Sequence, residues 1–325
     1  IEADDSAWVE PLLPVLEEWR FAAVEAAAGD EQELNQAARR YAKLLNATAQ
    51  GRKVLTDWIV GDASRPAFAD EPSILAHLAL LTAEGGMDND YATACESTRR
   101  LIRSLRADGR SPKIVAFSSS TAGASAFHAA LLDTLGDCEV LLLTGNGATA
   151  DEATIAAFTS PSASAVLICD RNGEEGLNLT CADAIIHLDL PMAAARIEQR
   201  IGRLDRFGRR HGVVRHRIVL PVDEDDSPWT GWADFLREGL ALFHRSISDV
   251  QFLLEGFEQR LFRVLLEQGP GGVEALSADV RDAIREERRS QDEQYALDRI
   301  ALSEEPVEAF IETRSEERRV GKECA

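Results

Sequence analysis

The residues whose types and spacing suit chemistry lie within Ile197–Arg210, which reads IEQRIGRLDRFGRR. Its pattern Gln199-x-x-Gly202-Arg203-x-x-Arg206 places two arginines three positions apart. On a helix this spacing puts both side chains on one face, where two guanidinium groups can converge on one anion. Phosphoryl transfer requires such groups, because charge on the phosphate oxygens must be stabilised while the bond breaks. Gly202 would let a neighbouring backbone come close.

A solvated basic helix is the alternative interpretation of this segment, since runs of charge are usually solvated. Eight arginines lie within Arg196–Arg217, against Glu198 and Asp205. The whole chain, however, carries a formal net charge of −21. That charge argues against a generally basic nucleic-acid-binding surface, so any contact with nucleic acid must be a local groove.

The chain has 325 residues, of which 45% are hydrophobic and 28% are charged. This length and composition indicate an ordinary globular protein of about two domains. The five cysteines are scattered and form no CxxC pair, so no zinc site is predicted. Cys169 and Cys181 stand in apolar surroundings and are expected to be buried thiols in a reducing cytoplasm. Neither a run of eighteen apolar residues nor a signal peptide is visible in the sequence. We expect a cytoplasmic location and no membrane contact.

The elements that must position these residues follow two patterns. Residues 1–107 show helical spacing of apolar residues and are predicted to be a helical region. Residues 108–222 alternate short apolar runs with helices, which predicts an α/β fold with a parallel sheet and right-handed crossovers. The predicted strands are Lys113–Phe117, Glu139–Thr144, Ala165–Cys169, Ala184–Asp189 and Arg215–Val222. Ligands of such sheets bind at the carboxyl ends of the strands.

A second helical region is predicted beyond the sheet. The acidic run at 223–226 marks a boundary, and residues 223–313 are predicted to be a mostly helical extension, with one long charged helix over 277–302. Residues 314–325 resemble translated sequencing-adapter read-through, so we expect a non-native tail there. We also expect the native protein to continue past both ends of this chain.

The segment Asp151–Thr154 resembles a magnesium-binding motif, but we do not interpret it as one. Asp151-Glu152-Ala153-Thr154 resembles the DExx sequence that holds magnesium in P-loop ATPases. Carboxylates in the first turn of a helix, however, cap free N–H groups and match the helix dipole. A magnesium-binding DExx also needs a phosphate loop upstream, and GxxxxGK[ST] does not occur in these 325 residues. We therefore interpret this motif as a helix start.

The motifs come in a characteristic order: a strand followed by Ser118-Ser119, a strand followed by Thr144-Gly145, then GEEGLN at 173–178, then the arginine pattern. This order resembles the second RecA-like lobe of a superfamily-two helicase. Within that group the chain is similar to Swi/Snf-type ATPases of the bacterial RapA-like branch, through GEEGLN, QRIGRLDRFG and WADFLREGLALF. A narrower resemblance is to helicase-like proteins of bacterial deazaguanine DNA-modification clusters. The resemblance covers about residues 110–222 and extends to about residue 260. For residues 1–107, only their position in the chain suggests the end of the first lobe or the bridge between lobes.

The resemblance implies roles in nucleotide chemistry. Arg203 and Arg206 match the arginine fingers that reach across to ATP held on the first lobe. Gln199 and Gly202 match nucleotide-side positions of the same motif. ATP and magnesium would be bound through the missing first lobe, because this chain lacks the phosphate loop and the magnesium carboxylates. We therefore expect this fragment alone not to hydrolyse ATP.

The resemblance also implies a nucleic-acid groove. Gly176 and Asn178 match the motif that touches the nucleotide and couples it to that groove. Five residues match positions along the phosphate track: Ser118, Ser119, Thr144, Gly145 and Arg171. A helix cap is the simpler interpretation of Ser118–Thr121, and it is compatible with that role. The family usually has Ser or Thr where this chain has Asp170, which would repel a phosphate unless paired, for example with Arg171.

The predicted function is the second motor lobe of an ATP-dependent DNA translocase. Its expected partners are DNA (most simply duplex DNA), the first lobe, and proteins that contact the C-terminal helices. One alternative is a non-catalytic helicase-like scaffold, against which the intact arginine motif argues. The other alternative is an RNA helicase of the same superfamily.

Overall fold

The computed structural model describes residues 2–3, 8–62, 64–84, 91–109, 111–145, 148–161, 163–205, 214–222 and 226–303. The chain divides after Val280 into two compact units. The strands are β1 (Glu2–Ala3), β2 (Lys113–Phe117), β3 (Glu139–Leu143), β4 (Ala165–Cys169), β5 (Ala184–His187) and β6 (Arg215–Leu220). The α-helices are α1 (Leu13–Ala27), α2 (Glu31–Ala49), α3 (Arg52–Asp62), α4 (Glu71–Glu84), α5 (Ala92–Ala107), α6 (Thr121–Thr134), α7 (Ala148–Thr159), α8 (Ala194–Leu204), α9 (Pro228–Asp234), α10 (Gln251–Glu267) and α11 (Val273–Ser303).

All pairs in the sheet are parallel, and the strand order is β1-β6-β5-β2-β4-β3. The predicted α/β fold with a RecA-like parallel sheet and flanking helices is confirmed. Every residue of β2, β4 and β5 is buried, because helices cover both faces of a parallel sheet. The two-residue strand β1, which pairs with β6, lies in a region that the sequence predicted to be helical.

The two faces of the sheet are separate cores, as the alternation of side chains along a strand requires. One face packs β2 and β4 residues against α5 and α6, and its larger members are Ile114, Val166, Ile168, Leu101, Leu105, Phe127 and Leu131. The other face includes Val115, Phe117, Leu167, Phe158, Leu179 and Leu204. Leu204 ends α8, so this second core fixes the helix that carries the arginine motif.

The helices before and after the sheet pack against one another. Trp229 donates its indole N–H to the carbonyl oxygen of Leu45 at 3.1 Å. Arg20 donates from Nη1 to the carbonyl oxygen of Leu266 at 2.9 Å. The sequence did not predict this contact between the two helical regions.

Several further expectations can be placed on the structure. Cys169 is buried as expected, whereas Cys181 is only half-buried. Asp151 and Glu152 are the fourth and fifth residues of α7, which begins at Ala148, three residues earlier than the sequence predicted. Within the described ranges, no helix is both long and apolar enough to cross a membrane. The expected non-native tail at 314–325 lies outside the described residues.

Candidate functional site

The segments that follow four strands meet at the carboxyl edge of the sheet. The backbone N–H of Ser118, just past β2, donates to the carbonyl oxygen of Cys169 at 2.9 Å, and that of Leu188, past β5, donates to Phe117 at 2.9 Å. The N–H of Asp170 donates to the carbonyl oxygen of Leu143, the last residue of β3, at 3.3 Å. The predicted positions of Ser118–Ser119, Thr144–Gly145 and the loop after β4 therefore come together.

The centre of this edge is a buried arginine, Arg200, whose side chain is 0% exposed. Its Nε donates to Glu174 Oε1 at 2.8 Å, and its Nη1 donates to the carbonyl oxygen of Asp189 at 2.8 Å. Its Nη2 donates to Ser119 Oγ at 2.9 Å and to Asp189 Oδ1 at 3.1 Å. The guanidinium lies over the ring of Phe117, with 5.7 Å between Cζ and the ring centroid. Its donors are thus used by groups of this chain.

Glu174 is the main acceptor of this cluster and is 3% exposed. Besides Arg200, it receives two hydrogen bonds from Arg196, from Nε at 3.0 Å and from Nη2 at 2.8 Å. Glu174 and Asp189 balance the charge of Arg196 and Arg200. Buried ions need such pairing, because an unpaired charge in the interior costs several kcal/mol. We call these four residues, with Ser119, the buried arginine cluster.

The hydroxyls of Ser118 and Ser119 are engaged inside the protein. Ser118 Oγ donates to Asp189 Oδ2 at 3.1 Å, and Ser119 Oγ donates to Asp189 Oδ1 at 2.6 Å. The N–H of Ser119 also donates to Asp189 Oδ2, at 2.6 Å. The adjacent Ser120 caps α6 by accepting from the N–H of Gly123 at 3.0 Å. The helix-cap interpretation of Ser118–Thr121 is therefore correct for Ser120.

Asp170, where the family usually has Ser or Thr, is buried and paired. Its carboxylate accepts from Thr121 Oγ1 at 2.8 Å and from the N–H of Asn172 at 3.0 Å. These partners, rather than the suggested Arg171, satisfy the carboxylate. Arg171, the first residue of the short helical turn 171–174, is instead exposed.

The end of β3 makes a close contact with the same loop. Gly145 is exposed, and a Cβ on it would lie 2.6 Å from Cγ of Asn172. A side chain here would therefore displace Asn172, which itself bonds Asp170. Thr144 beside it is half-buried. Close approach of two loops thus explains the glycine at this position.

Three residues of the predicted arginine motif lie on α8 outside the buried arginine cluster: Gln199, Gly202 and Arg203. Gln199 is exposed, and a Cβ on Gly202 would meet no atom of the described chain within 4 Å. Gly202 thus allows close approach only from outside the described residues. Arg203 is half-buried, and its Nε is buried without a hydrogen-bond partner. Within the described ranges, no ion pair engages its guanidinium. Arg206, the other predicted finger, lies outside the described residues.

The loop that carries Gly176 and Asn178 is attached to the end of α8. The N–H of Leu179 donates to the carbonyl oxygen of Arg203 at 3.0 Å. Gly176 is exposed and has a φ of +75°, a conformation that favours glycine. Asn178 is exposed and accepts from the N–H of Thr180 at 3.3 Å. Both predicted residues thus lie on the solvent side of this loop.

A pair of histidines, the buried His187 and the half-buried His216, lies on the two neighbouring strands β5 and β6. The rings of His187 and His216 stack with centroids 5.7 Å apart, and Nε2 of His187 lies 3.4 Å from Nδ1 of His216. Phe243 packs edge-on to His187, with 5.9 Å between the centroids. Burial lowers the pKa of His187 well below its ordinary value, and the nearby His216 and Arg200 lower it further. His187 is therefore neutral at physiological pH.

Two further observations concern the ligand chemistry of the described residues. Among them, no cluster of three or more His, Cys, Asp or Glu side chains could hold a metal ion. The carboxylates at the sheet edge, Glu174, Asp189 and Asp170, are all bonded internally. A nucleotide phosphate needs cationic and polar donors that are not already used. Arg203 and the exposed Gln199 fit that requirement.

Four residues of the buried arginine cluster were missed by the sequence analysis: Glu174, Asp189, Arg196 and Arg200. The available signal was the spacing of Arg196 and Arg200, which are four residues apart and so share a helix face. Their acceptors could not be identified from the sequence, because they follow two different strands.

Residues 96–208 match the family described as the helicase conserved C-terminal domain. The chain is similar to the RNA polymerase-associated protein RapA of Pseudomonas putida (strain GB-1), with 33% identity over an alignment of 160 residues. That alignment covers 41% of this chain and 16% of the relative. It is also 34% identical over 122 residues to RapA of Pseudomonas aeruginosa (strain LESB58), and this alignment covers 35% of this chain and 13% of the relative. The match thus spans less than a fifth of these relatives.

A solved structure, the C-terminal part of the Fun30 ATPase domain, aligns with 88% of this chain and 96% of its own length, at 14% identity and a TM-score of 0.44. The family match begins in α5 and ends just beyond α8, so it includes β2–β5 and the arginine motif. Residues 96–208 of this chain thus match a helicase conserved C-terminal domain, and the chain is similar in sequence to part of RapA.

Proposed function

We propose that this lobe works as the second motor lobe of an ATP-dependent DNA translocase, in which Arg203 and Arg206 are arginine fingers. In the intact protein, ATP and magnesium are held on the first lobe, and magnesium supplies charge stabilisation to the transferred phosphate. Gln199, Gly202 and the fingers face that nucleotide. This fragment alone does not hydrolyse ATP.

One observation carries the proposal: the arginines of α8 differ in whether their donors are used. Arg196 and Arg200 are bonded within the buried arginine cluster. On the same helix, Arg203 has a buried Nε that donates to no hydrogen-bond acceptor among the described residues. A buried N–H donor without an acceptor is costly, so such an atom points to an acceptor outside the described residues. A phosphate of a bound nucleotide is an acceptor of the required charge.

The nucleic-acid groove is proposed along the loops at the carboxyl edge of the sheet. Arg171, Thr144 and Gly145 contact the phosphate backbone there without reading sequence. Ser118 and Ser119 belong to the same track, but their hydroxyls act through Asp189, which they hold in place. Gly176 and Asn178, whose loop is bonded to α8, link the groove to the nucleotide.

The flanking regions complete the proposed motor. Residues 1–107 belong to the end of the first lobe or to the bridge between lobes, and residues 223–313 form a helical extension that offers surface to protein partners. Closure of the two lobes on ATP and opening after hydrolysis move the protein along duplex DNA. Such a motor works in the cytoplasm.

The test is DNA-stimulated ATP hydrolysis by the full-length gene product, with its upstream sequence. We expect duplex DNA to stimulate hydrolysis and Arg203→Ala to lower the stimulated rate by about a thousandfold. Arg237→Ala is the matched control, because Arg237 is an exposed arginine that bonds only nearby Asp234 and Glu238 in the described structure. Absence of hydrolysis in the unmodified protein would favour the scaffold, and stimulation by RNA alone would favour the RNA helicase.

A further inference from the structure

We propose that Glu174 is a positioning residue, which fixes α8 so that Arg203 reaches the nucleotide. The inference rests on the proposed function, because it names the residue that positions Arg203, the proposed arginine finger, relative to the nucleotide. Glu174 itself is 3% exposed and does not touch the nucleotide.

Glu174 joins two elements that carry different parts of the site. It lies in the turn Arg171–Glu174, just before the Gly176 loop, and it receives three hydrogen bonds of 2.8–3.0 Å from arginines of α8. Two of them come from Arg196 in a bidentate pair, which fixes orientation as well as distance. The carboxylate therefore determines how the first half of α8 sits on the loop.

A second hydrogen bond fixes the position of the C-terminal end of α8. The N–H of Leu179 donates to the carbonyl oxygen of Arg203 at 3.0 Å. The loop 174–179 thus holds α8 at both of its ends. The side chain of Arg203 has no described partner of its own, so its position depends on where these two attachments place the backbone. Of the two, only the one at Glu174 is made by a side chain that substitution can alter.

The charge balance explains why the carboxylate must be ionised and buried. Arg200, at 0% exposure, has two carboxylate partners, Glu174 and Asp189. If Glu174 becomes neutral, one guanidinium charge of the cluster is left without a counterion. The helix can then relieve the imbalance by moving Arg196, which is the more exposed of the two arginines at 22%, towards solvent. Such a movement shifts the start of α8.

The experiment uses the full-length gene product and compares Glu174→Gln with the unmodified protein. We expect kcat for DNA-stimulated ATP hydrolysis to fall by about tenfold to a hundredfold, as displacements of about 1 Å do, while KM for ATP stays unchanged. In single-turnover hydrolysis, Glu174→Gln should cause no further loss when Arg203→Ala is already present. Unchanged kcat in Glu174→Gln, or an equal loss in both backgrounds, would overturn the inference.

A charge-balanced variant separates positioning from stability. Glu174→Gln combined with Arg196→Gln restores neutrality, so we expect its thermal unfolding midpoint to return towards that of the unmodified protein while kcat stays low. Recovery of kcat together with the midpoint would mean that Glu174 only stabilises the fold, and would overturn the inference. Full hydrolysis by Arg203→Ala alone would instead overturn the proposed function, and this inference with it.

Discussion

Arg200 and Arg203 lie one turn apart on α8, yet Arg200 is fully buried with its donors used, whereas Arg203 has a buried Nε without a partner in the described structure. The first joins segments at the sheet edge through its hydrogen bonds, and the second is the residue that we propose to meet a nucleotide phosphate.

This difference predicts opposite effects on stability and activity. Arg200→Ala leaves Glu174 and Asp189 short of a buried counterion, so we expect it to lower the free energy of unfolding by about 3–5 kcal/mol. Arg203→Ala breaks no described side-chain contact and should change it by less than about 0.5 kcal/mol. Urea unfolding of the 325-residue chain measures both. A larger loss for Arg203→Ala than for Arg200→Ala would contradict the assignment.

The buried His187 makes stability depend on pH. Its pKa in the folded protein lies well below the ordinary value of 6.5, so the unfolded chain binds a proton that the folded protein excludes. The free energy of unfolding should therefore fall as pH decreases below about 6.5, by up to about 1.4 kcal/mol per pH unit from this group. His187→Phe should remove this component.

Urea unfolding of the same chain near pH 7.5 and near pH 5, both approximate values on either side of the unfolded pKa, measures the effect. His244→Asn is the control for loss of a histidine as such, because His244 is exposed. An equal decrease in the unmodified protein and in His187→Phe would show that His187 does not cause it.

Arg171 should contribute to DNA binding through charge alone. Its side chain is exposed at the sheet edge, so Arg171→Ala in the full-length gene product should weaken binding of duplex DNA irrespective of sequence. The slope of log K against log salt should decrease in magnitude by about 1. Fluorescence anisotropy at several salt concentrations measures it, with Arg237→Ala as the arginine control. An unchanged slope would exclude Arg171 from the phosphate track.

Gly173 should not tolerate a side chain, because its position is buried against β4. A Cβ there would lie 2.5 Å from Cβ and 2.9 Å from Sγ of Cys169. We expect Gly173→Ala to destabilise the chain by about 1–3 kcal/mol, as overpacking does. Gly136→Ala is the control, since a Cβ at Gly136 meets nothing within 4 Å. Equal urea midpoints for the two variants would contradict this explanation.

The sheet could be predicted because its signals are local. Runs such as Ala165–Cys169 are apolar throughout, and in a parallel sheet covered on both faces every position is buried. The same kind of local pattern predicted a helix cap at the start of α6. Ser120 provides this cap, because its hydroxyl oxygen accepts a hydrogen bond from the N–H of Gly123. Such features depend on a few consecutive residues.

The buried arginine cluster could not be predicted, because it depends on contacts between distant segments. Arg200 lies in a basic run, where exposure to solvent is the usual expectation. It is buried because Glu174 and Asp189, which follow β4 and β5, supply its counterions. The pairing of Asp170 with Thr121 likewise joins residues 49 positions apart. The chemistry of the motif was visible in the sequence, but its internal partners were not.

The packing of α1 and α2 against α9 and α10 affects the order in which the fold can form. The bond from Trp229 to Leu45 spans 184 positions, and the bond from Arg20 to Leu266 spans 246. During translation, the surface of α1 and α2 that α10 covers stays open until those later residues leave the ribosome. At about 5–20 residues per second, that wait is roughly 10–50 s. Until then, the parts of α1 and α2 that these contacts cover are exposed to solvent.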